Sequence, residues 1–235
     1  MKPELSKKLI ETREQTLSVI TNFFTDKALE GHVFGSLARG DGDALSDIDV
    51  WVTFKDDEIQ ESIKNRFEIY KRFGTILICH EAQQNFPLGG NYSLVIYDTP
   101  AGLLQVDYFF CPLSSSRVDD GAIVLFGKTP IQKGKMVYDP KRTKKDPSDK
   151  LSFVICMCFV AIKKIVRKDP DFMPFLVSEY VNMKKDLFPQ LPAVENVNSL
   201  KTLNEMLKNL ETVATPEQGM AIGAIRRFSA QVGFK

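Results

Sequence analysis

The stretch from Gly35 to Val52 reads GSLARGDGDALSDIDVWV, and it decides the fold expected for this chain. A Gly-Ser pair opens a short basic segment, and Asp47 and Asp49 then open an apolar run. In a strand, residues two apart point to the same side, so the two carboxylates share one face. Neighbouring carboxylates repel each other unless a cation lies between them, and Mg²⁺ is commonly held by one or two carboxylates plus substrate phosphates. The order of these residues predicts a site for Mg²⁺ and a nucleoside triphosphate.

The Gly35-Ser36 turn upstream allows the backbone to approach a phosphate closely. Free N–H groups at the start of a short helix bind anions, and Arg39 can add a bidentate contact to a phosphate oxygen. Ser46 completes the predicted nucleotide-binding set. An alternative is that the two aspartates form the solvated face of a strand and that the glycines only serve turns, because short Asp-x-Asp matches are common by chance. The joint occurrence of all these residues between two predicted strands favours the site.

Hydrophobic spacing predicts alternating helices and strands in the first part of the chain. The helices are predicted over 4–26 and over about 56–73, where Ile59, Ile63, Phe67, Tyr70 and Phe73 form one apolar stripe. A glycine at 31 should end the first helix. Strands are predicted over 32–34, 47–54, 75–80, 92–97, 103–110 and 122–126, with a hairpin around 98–102. This order indicates an α/β layer with a mixed sheet.

The segment Lys141–Lys150, KRTKKDPSDK, is a polar, charged break, and the pattern after it is wholly helical. Helices are predicted from Asp146-Pro147 to about residue 168, from residue 172 to 187, from Val197 to Leu210, and from a capping box at Thr215–Gln218 onward. The expected fold class is α+β, with an N-terminal α/β domain at 1–140 and a helical bundle at 141–235.

Composition narrows the function classes. With 43% apolar residues, including 17 Phe among 235 residues, the chain can build a substantial core. Its 31 basic and 30 acidic side chains argue against a long nucleic acid as partner. The cysteines and histidines lack zinc-site spacing, which favours reduced thiols. The N-terminus has no apolar signal region, and the longest apolar run, 153–162, is too short for a bilayer, so we expect a soluble cytoplasmic protein without membrane contact.

The quoted stretch resembles the signature of the nucleotidyltransferase superfold of polymerase β, a Gly-Ser pair followed by Asp-x-Asp or Asp-x-Glu. Within that superfold the chain most resembles the small antibiotic nucleotidyltransferases that act on aminoglycosides and lincosamides. The two-domain plan and the segment MVYDP at Met136–Pro140 extend the resemblance. It implies transfer of a nucleoside monophosphate, with AMP from ATP favoured, to a hydroxyl of a small molecule, with Mg²⁺ as cofactor. It also allows for a homodimer.

That fold uses a third carboxylate on a neighbouring strand, and Asp107 within LLQVDYFF is the candidate. Asp107 would complete the metal-binding set with Asp47 and Asp49 and act as general base; the alternative is an acid on the open face of the hairpin. Glu179 is a second candidate base, or a partly buried glutamate paired with a lysine. Lys163 would contact the triphosphate, as in similar enzymes, or complement the C-terminus of its helix.

The sequence does not identify the acceptor. A cluster of acids would attract a polycationic aminoglycoside, whereas a lincosamide needs a more apolar wall. The cluster comprises Asp41, Asp43, Asp47, Asp49, Asp56, Asp57 and Glu58. Nucleotidylation of a protein or a tRNA end, as in toxin-type and antitoxin-type relatives, is an alternative for which KRTKKDPSDK offers a basic patch. A non-catalytic binding module of the same fold is another alternative, although such a module has no use for three costly carboxylates.

Overall fold

The computed structural model describes residues 1–129, 131–139, 150–169, 171–195 and 199–233. Up to residue 139, helices and strands alternate as the sequence predicts. They are α1 (Pro3–Phe24), β1 (Glu30–Phe34), α2 (Gly35–Arg39), β2 (Ile48–Phe54), α3 (Ile59–Lys64), α4 (Arg66–Tyr70), β3 (Thr75–His80), β4 (Asn91–Thr99), β5 (Gly102–Pro112) and β6 (Ile123–Gly127). The later described residues form α5 (Lys150–Val166), α6 (Phe172–Leu187), α7 (Ser199–Glu211) and α8 (Pro216–Gln231). The predicted α+β class, a mixed sheet followed by helices, is confirmed.

The chain divides into two compact units. One consists of Ser6–Ile76 and Glu81–Lys144, and the other consists of Met1–Leu5, Leu77–His80 and Lys145–Lys235, so β3 is divided between them. The predicted domain boundary after residue 140 and the predicted Asp146-Pro147 cap lie outside the described residues, as do Pro140 and Val197.

The sheet has the strand order β3-β4-β5-β2-β1-β6. β2 pairs with β5 in parallel, whereas β1 pairs antiparallel with both β2 and β6, and β4 pairs antiparallel with β5. The β4–β5 hairpin closes tightly, with Thr99 opposite Gly102. The mixed sheet therefore places the two long central strands, β2 and β5, side by side.

Helices α1 and α4 cover one face of this sheet with aromatic side chains. Phe24 of α1 packs edge-on against Phe54 of β2 and Phe110 of β5, with ring centroids 6.1 and 5.7 Å apart. Tyr70 of α4 stacks on Tyr108 of β5 at 4.3 Å. All five rings are at most 2% exposed, which is where burial and edge-to-face geometry contribute most to stability. The polar residues of β2 and β5 consequently lie on the opposite face.

Helix α5 is the centre of the helical unit and packs against α6, α7 and α8. Its buried residues surround the helix, as an apolar sequence on all sides requires. The predicted capping box at the start of α8 is confirmed: the Thr215 hydroxyl accepts from the Gln218 backbone N–H, and the Gln218 side chain accepts from the Thr215 N–H. Within the described residues, no helix is both long enough and apolar enough to cross a membrane.

Two sequence predictions about helix ends are wrong. The helix predicted over 56–73 is interrupted at Asn65, where φ is −93° and ψ is 4°. The stripe still repeats across the break, so spacing alone could not reveal it. Gly31 does not end the first helix either, because α1 ends at Phe24 and Gly31 lies inside β1.

Candidate active site

Asp49 and Asp107 lie side by side in the sheet. They are register partners on the parallel strands β2 and β5, so their side chains leave the same face about 4.8 Å apart. Both are half-buried. Their neighbours in register on the outer strands are apolar, with Phe34 opposite Asp49 and Leu94 opposite Asp107. The fold thus holds two like charges together between apolar side chains, an arrangement that a bound cation would stabilise.

Gly35 lies directly against the Asp49 carboxylate. It begins α2 with a positive φ of 72°, a left-handed conformation that favours glycine. A Cβ atom built on Gly35 would lie 2.2 Å from Asp49 Oδ2, closer than any non-bonded contact. The Gly-Ser turn therefore places the start of α2 beside one carboxylate of the pair, and only glycine fits there.

Helix α2 carries the other predicted phosphate-binding residues. Ser36 is half-buried, and within the described part of the chain its hydroxyl makes no hydrogen bond. Arg39 is exposed and pairs with Asp41, Nε to Oδ2 at 3.2 Å. An exposed ion pair of this kind contributes little and exchanges readily, so Arg39 remains available to a phosphate.

The loop from Gly40 to Asp47 is built around Asp43 and Ser46. The Asp43 carboxylate accepts from the Leu45 backbone N–H at 2.9 Å, and the Ser46 hydroxyl accepts from the Asp43 N–H at 2.9 Å. Ser46 is 4% exposed and its hydroxyl bonds within the loop, while its role in nucleotide binding stays a prediction. These bonds fix the approach of the chain to half-buried Asp47, which immediately precedes β2.

Arg13 supports the site and is not among the residues predicted for it from the sequence. It lies on α1, is 7% exposed, and its guanidinium donates to the backbone oxygens of Asp43 and Ser46. Burial lowers the pKa of Arg13, and the charges of Glu14, Asp43 and Asp47 oppose that effect. An arginine remains charged even so, and a buried cation holds the loop that carries Asp47. Arg13 lies on the same face of α1 as the buried residues Leu9, Ile20 and Phe24. A cation on this apolar face is therefore a local signal, although its partners are known only from the fold.

Gln105 orients the second carboxylate. It lies two residues before Asp107 on the same face of β5, and its Nε2 donates to Asp107 Oδ1 at 2.9 Å. The described residues contain no group of three or more His, Cys, Asp or Glu side chains arranged to hold a metal ion. Asp49 and Asp107 nevertheless supply hard oxygen ligands, and Mg²⁺ typically takes one or two carboxylates and completes its shell with phosphates and water. Asp47 as a third ligand stays a prediction.

Lys163 and Glu179, the two site residues predicted in the helical unit, differ in how deeply they are buried. Lys163 lies in the last turn of α5, is 3% exposed, and places its Nζ 5.4 Å from the centre of the Phe159 ring. Its neighbour Lys164 pairs with Asp169 at 3.0 Å. Glu179 is half-buried on α6. Their roles stay predictions.

Aromatic side chains continue the carboxylate-bearing face of the sheet beyond Asp49. Trp51 lies between His32 and Phe109 in nearly parallel orientation, with centroid separations of 5.7 and 5.8 Å. The Trp51 indole N–H donates to the Ser116 hydroxyl at 3.0 Å, which satisfies its only polar atom. Phe34 packs edge-on against Phe109 at 5.1 Å. A buried aromatic row therefore borders the carboxylate pair.

His32 should make the fold sensitive to acid. Burial lowers its pKa from 6.5 to about 4, and its Nδ1 has no hydrogen-bond partner among the described residues. As the pH falls, His32 is protonated in the unfolded chain before it is protonated in the folded protein. The free energy of unfolding is therefore highest above pH 6.5 and decreases by roughly 3 kcal/mol as the pH drops towards 4. Urea unfolding at several pH values should show this loss in the wild type and not in His32→Phe, which keeps a ring without a titratable group. Parallel pH curves for both proteins would refute it.

Part of the chain matches a known family model. Residues 23–83 match the family model of a nucleotidyltransferase domain, a range that includes Gly35 and Asp49 but not Asp107. No curated protein matches the chain.

Two solved structures are similar to the chain at low identity. A STING-associated CdnE c-di-GMP synthase from Capnocytophaga granulosa is 14% identical over 97% of this chain and 83% of its own, with a TM-score of 0.31. JHP933 from Helicobacter pylori is 15% identical over 97% of this chain and 96% of its own, with a TM-score of 0.26. Residues 23–83 are therefore similar to part of a nucleotidyltransferase domain, and the helices α5 to α8 follow later in the chain.

Proposed function

We propose that the protein transfers a nucleoside monophosphate, in the first instance AMP from ATP, to a hydroxyl group of a small molecule. The observation that carries this proposal is the placement of Asp49 and Asp107 in register beside the start of α2. The family match supports nucleotidyl transfer in general. The acceptor is inferred from the resemblance to antibiotic nucleotidyltransferases.

Each side chain of the site has a proposed task. Ser36 and the backbone of Gly35 bind the phosphates, and Arg39 leaves Asp41 to neutralise a phosphate oxygen. Asp49 and Asp107, with Asp47, would hold Mg²⁺. When bound, the ion would lower the pKa of the acceptor hydroxyl and neutralise charge on the phosphates.

The reaction is a single displacement at the α-phosphorus. The acceptor oxygen forms a bond to that atom, the bond to the bridging oxygen of the β-phosphate breaks, and pyrophosphate leaves. The hydroxyl proton passes to a carboxylate oxygen of Asp107, whose other oxygen is held by Gln105. Glu179 is the alternative base. Lys163 would contact the triphosphate, as in the enzymes that the sequence resembles.

The acceptor class is proposed to be an aminoglycoside or a lincosamide. Exposed carboxylates near the site, Asp41 and Asp43 among them, would attract the ammonium groups of an aminoglycoside. The basic segment that would favour a tRNA or protein end falls at 141–150, where the structure describes only Lys150. No described feature therefore raises that alternative above the small-molecule acceptor.

The test is to incubate the protein with ATP, Mg²⁺ and a panel of aminoglycosides and lincosamides and to analyse the products by mass spectrometry. We expect one drug class to gain the mass of AMP with release of pyrophosphate. Omitting Mg²⁺ and heat-denaturing the protein are the controls. Pyrophosphate release without a drug adduct would overturn the antibiotic acceptor and retain nucleotidyl transfer, whereas neither product with any triphosphate would overturn both.

A further inference from the structure

A cavity of about 330 Å³ is lined by residues that neighbour Asp49 in the sheet. The aromatic side chains His32, Phe34 and Trp51 line it from β1 and β2. The charged residues Arg117, Asp119 and Lys135 line it together with Tyr138 from the segments that follow β5 and β6. Phe34 is the register partner of Asp49, and Trp51 follows Asp49 by two residues on the same face, a step of about 6.7 Å. A ligand in the cavity would therefore lie one side chain away from the proposed reaction centre.

The walls of the cavity are held by backbone hydrogen bonds. The segment around Tyr138 pairs with the loop before β4, since Leu88 N–H donates to Val137 O at 2.8 Å and Asp139 N–H donates to Phe86 O at 3.1 Å. The segment after Arg117 is tied to the segment before Lys135, because Gly134 N–H donates to Val118 O at 3.0 Å. The cavity is thus preformed, as small-molecule sites usually are.

The chemistry of the lining is unusual for a structural void. Arg117 donates to the backbone oxygens of Ser114 and Ser116, and neither Arg117 nor Lys135 forms an ion pair within the described residues. The buried Nδ1 of His32 likewise has no partner in that part of the chain. Aromatic surface next to cationic donors of this kind suits a flat ring that carries carbonyl or ring-nitrogen acceptors.

We propose that this cavity binds a nucleobase, with the ring against the aromatic side chains and its acceptor atoms towards Arg117 and Lys135. The proposal rests on the proposed function for the nucleotide itself and adds where its base is bound. The base of the donor triphosphate is the expected occupant, since the cavity begins beside Asp49. The base of a nucleoside acceptor has the same chemistry, and the test separates the two sources. With Arg117 and Lys135 against the single carboxylate of Asp119, the lining has a net positive charge, which disfavours a polycationic drug.

The chain provides its own probe, because Trp51 is its single tryptophan and lines the cavity. We would titrate the whole protein with α,β-methylene-ATP, which resists cleavage at the reacting bond, and separately with the four nucleosides. Indole emission is excited at the red edge, where bases do not absorb. His32 and Phe109 cover the two faces of the indole, so a base bound in the cavity should quench Trp51 by proximity, without stacking on it. Calorimetry gives the total binding.

Four variants localise the effect. Tyr138 is 38% exposed, so Tyr138→Ala should leave the fold intact and raise the Kd about tenfold, whereas Tyr138→Phe should bind like the wild type. Lys135→Gln should weaken binding about threefold. Its matched control, Lys133→Gln, removes a solvated lysine that pairs with Asp120 and should change nothing. Circular dichroism confirms that each variant is folded.

The results distinguish a donor base from an acceptor base in the cavity, and certain results refute the proposal. If saturating α,β-methylene-ATP abolishes the quenching by nucleosides, the donor base occupies the cavity. If nucleosides still quench Trp51 in the presence of α,β-methylene-ATP, and Tyr138→Ala weakens only nucleoside binding, an acceptor base occupies the cavity. The proposal is overturned if no probe quenches Trp51, or if Tyr138→Ala binds both probes as the wild type does. AMP transfer without quenching would overturn this inference alone, and quenching without transfer to any acceptor would overturn the proposed function alone.

Discussion

Asp49→Asn should abolish nucleotidyl transfer while leaving the protein folded. The variant removes one of the two carboxylates that the sheet holds in register, and with it a negative charge that would bind Mg²⁺. Loss of several kcal/mol of transition-state stabilisation corresponds to a fall in kcat of about a thousandfold or more. Pyrophosphate release under saturating ATP and Mg²⁺ measures it.

The stability of the same variant gives the matching control. Because Asp49 and Asp107 repel each other when no cation is bound, Asp49→Asn should unfold in EDTA at the same temperature as the wild type or higher. Asp98→Asn makes the same chemical change at an exposed position of the β4–β5 hairpin and should retain activity. Full turnover by Asp49→Asn would refute the role assigned to this carboxylate. A lowered melting temperature would instead attribute the lost turnover to the fold.

Gly35→Ala should reduce kcat about a hundredfold, because the added methyl group displaces the Asp49 carboxylate. The Cβ would lie 2.2 Å from Asp49 Oδ2, so the carboxylate must move by about 1 Å, and a misplacement of that size costs about a hundredfold in rate. The positive φ of 72° adds strain of about 1–2 kcal/mol to the folded state. Steady-state kinetics and urea unfolding measure the two effects separately.

Gly40→Ala is the matched control for this substitution. Gly40 ends α2 with a φ of 75°, so an alanine there meets the same backbone strain. A Cβ atom added to Gly40 would meet nothing within 4 Å, so no active-site atom is displaced. We expect Gly40→Ala to lose stability and keep kcat within a few-fold of the wild type. If the two alanine variants lose equal activity, backbone strain and not the position of Asp49 is responsible.

Local patterns predict most of the fold. The alternation of apolar and polar residues, together with turn residues, predicts β2, β5 and the β4–β5 hairpin. The Thr-Pro-Glu-Gln sequence predicts the start of α8. Each of these signals is contained within a few residues. The interruption at Asn65 is different. The apolar residues on both sides keep their spacing, and the break is visible only in the backbone angles at Asn65.

The candidate site could be predicted only in part, for a related reason. Asp49 is marked by a short motif, and Asp107 by being an acid in an apolar strand, so both could be named without the structure. The role of Arg13 could not be predicted from the sequence, because only the folded chain brings α1 to the loop at Asp43 and Ser46. The cavity beside Trp51 could not be predicted either, because its walls come from segments more than sixty residues apart in sequence.

The parallel pairing of β2 with β5 has a consequence for how the protein folds. Asp49 and Asp107 are more than fifty residues apart in sequence, so their contact closes a long loop and raises the contact order. The β4–β5 hairpin is local and should form before β5 joins β2, which makes the carboxylate pair a late product of folding. A fragment that stops at residue 83, where the family match ends, would carry the signature motif without the second carboxylate.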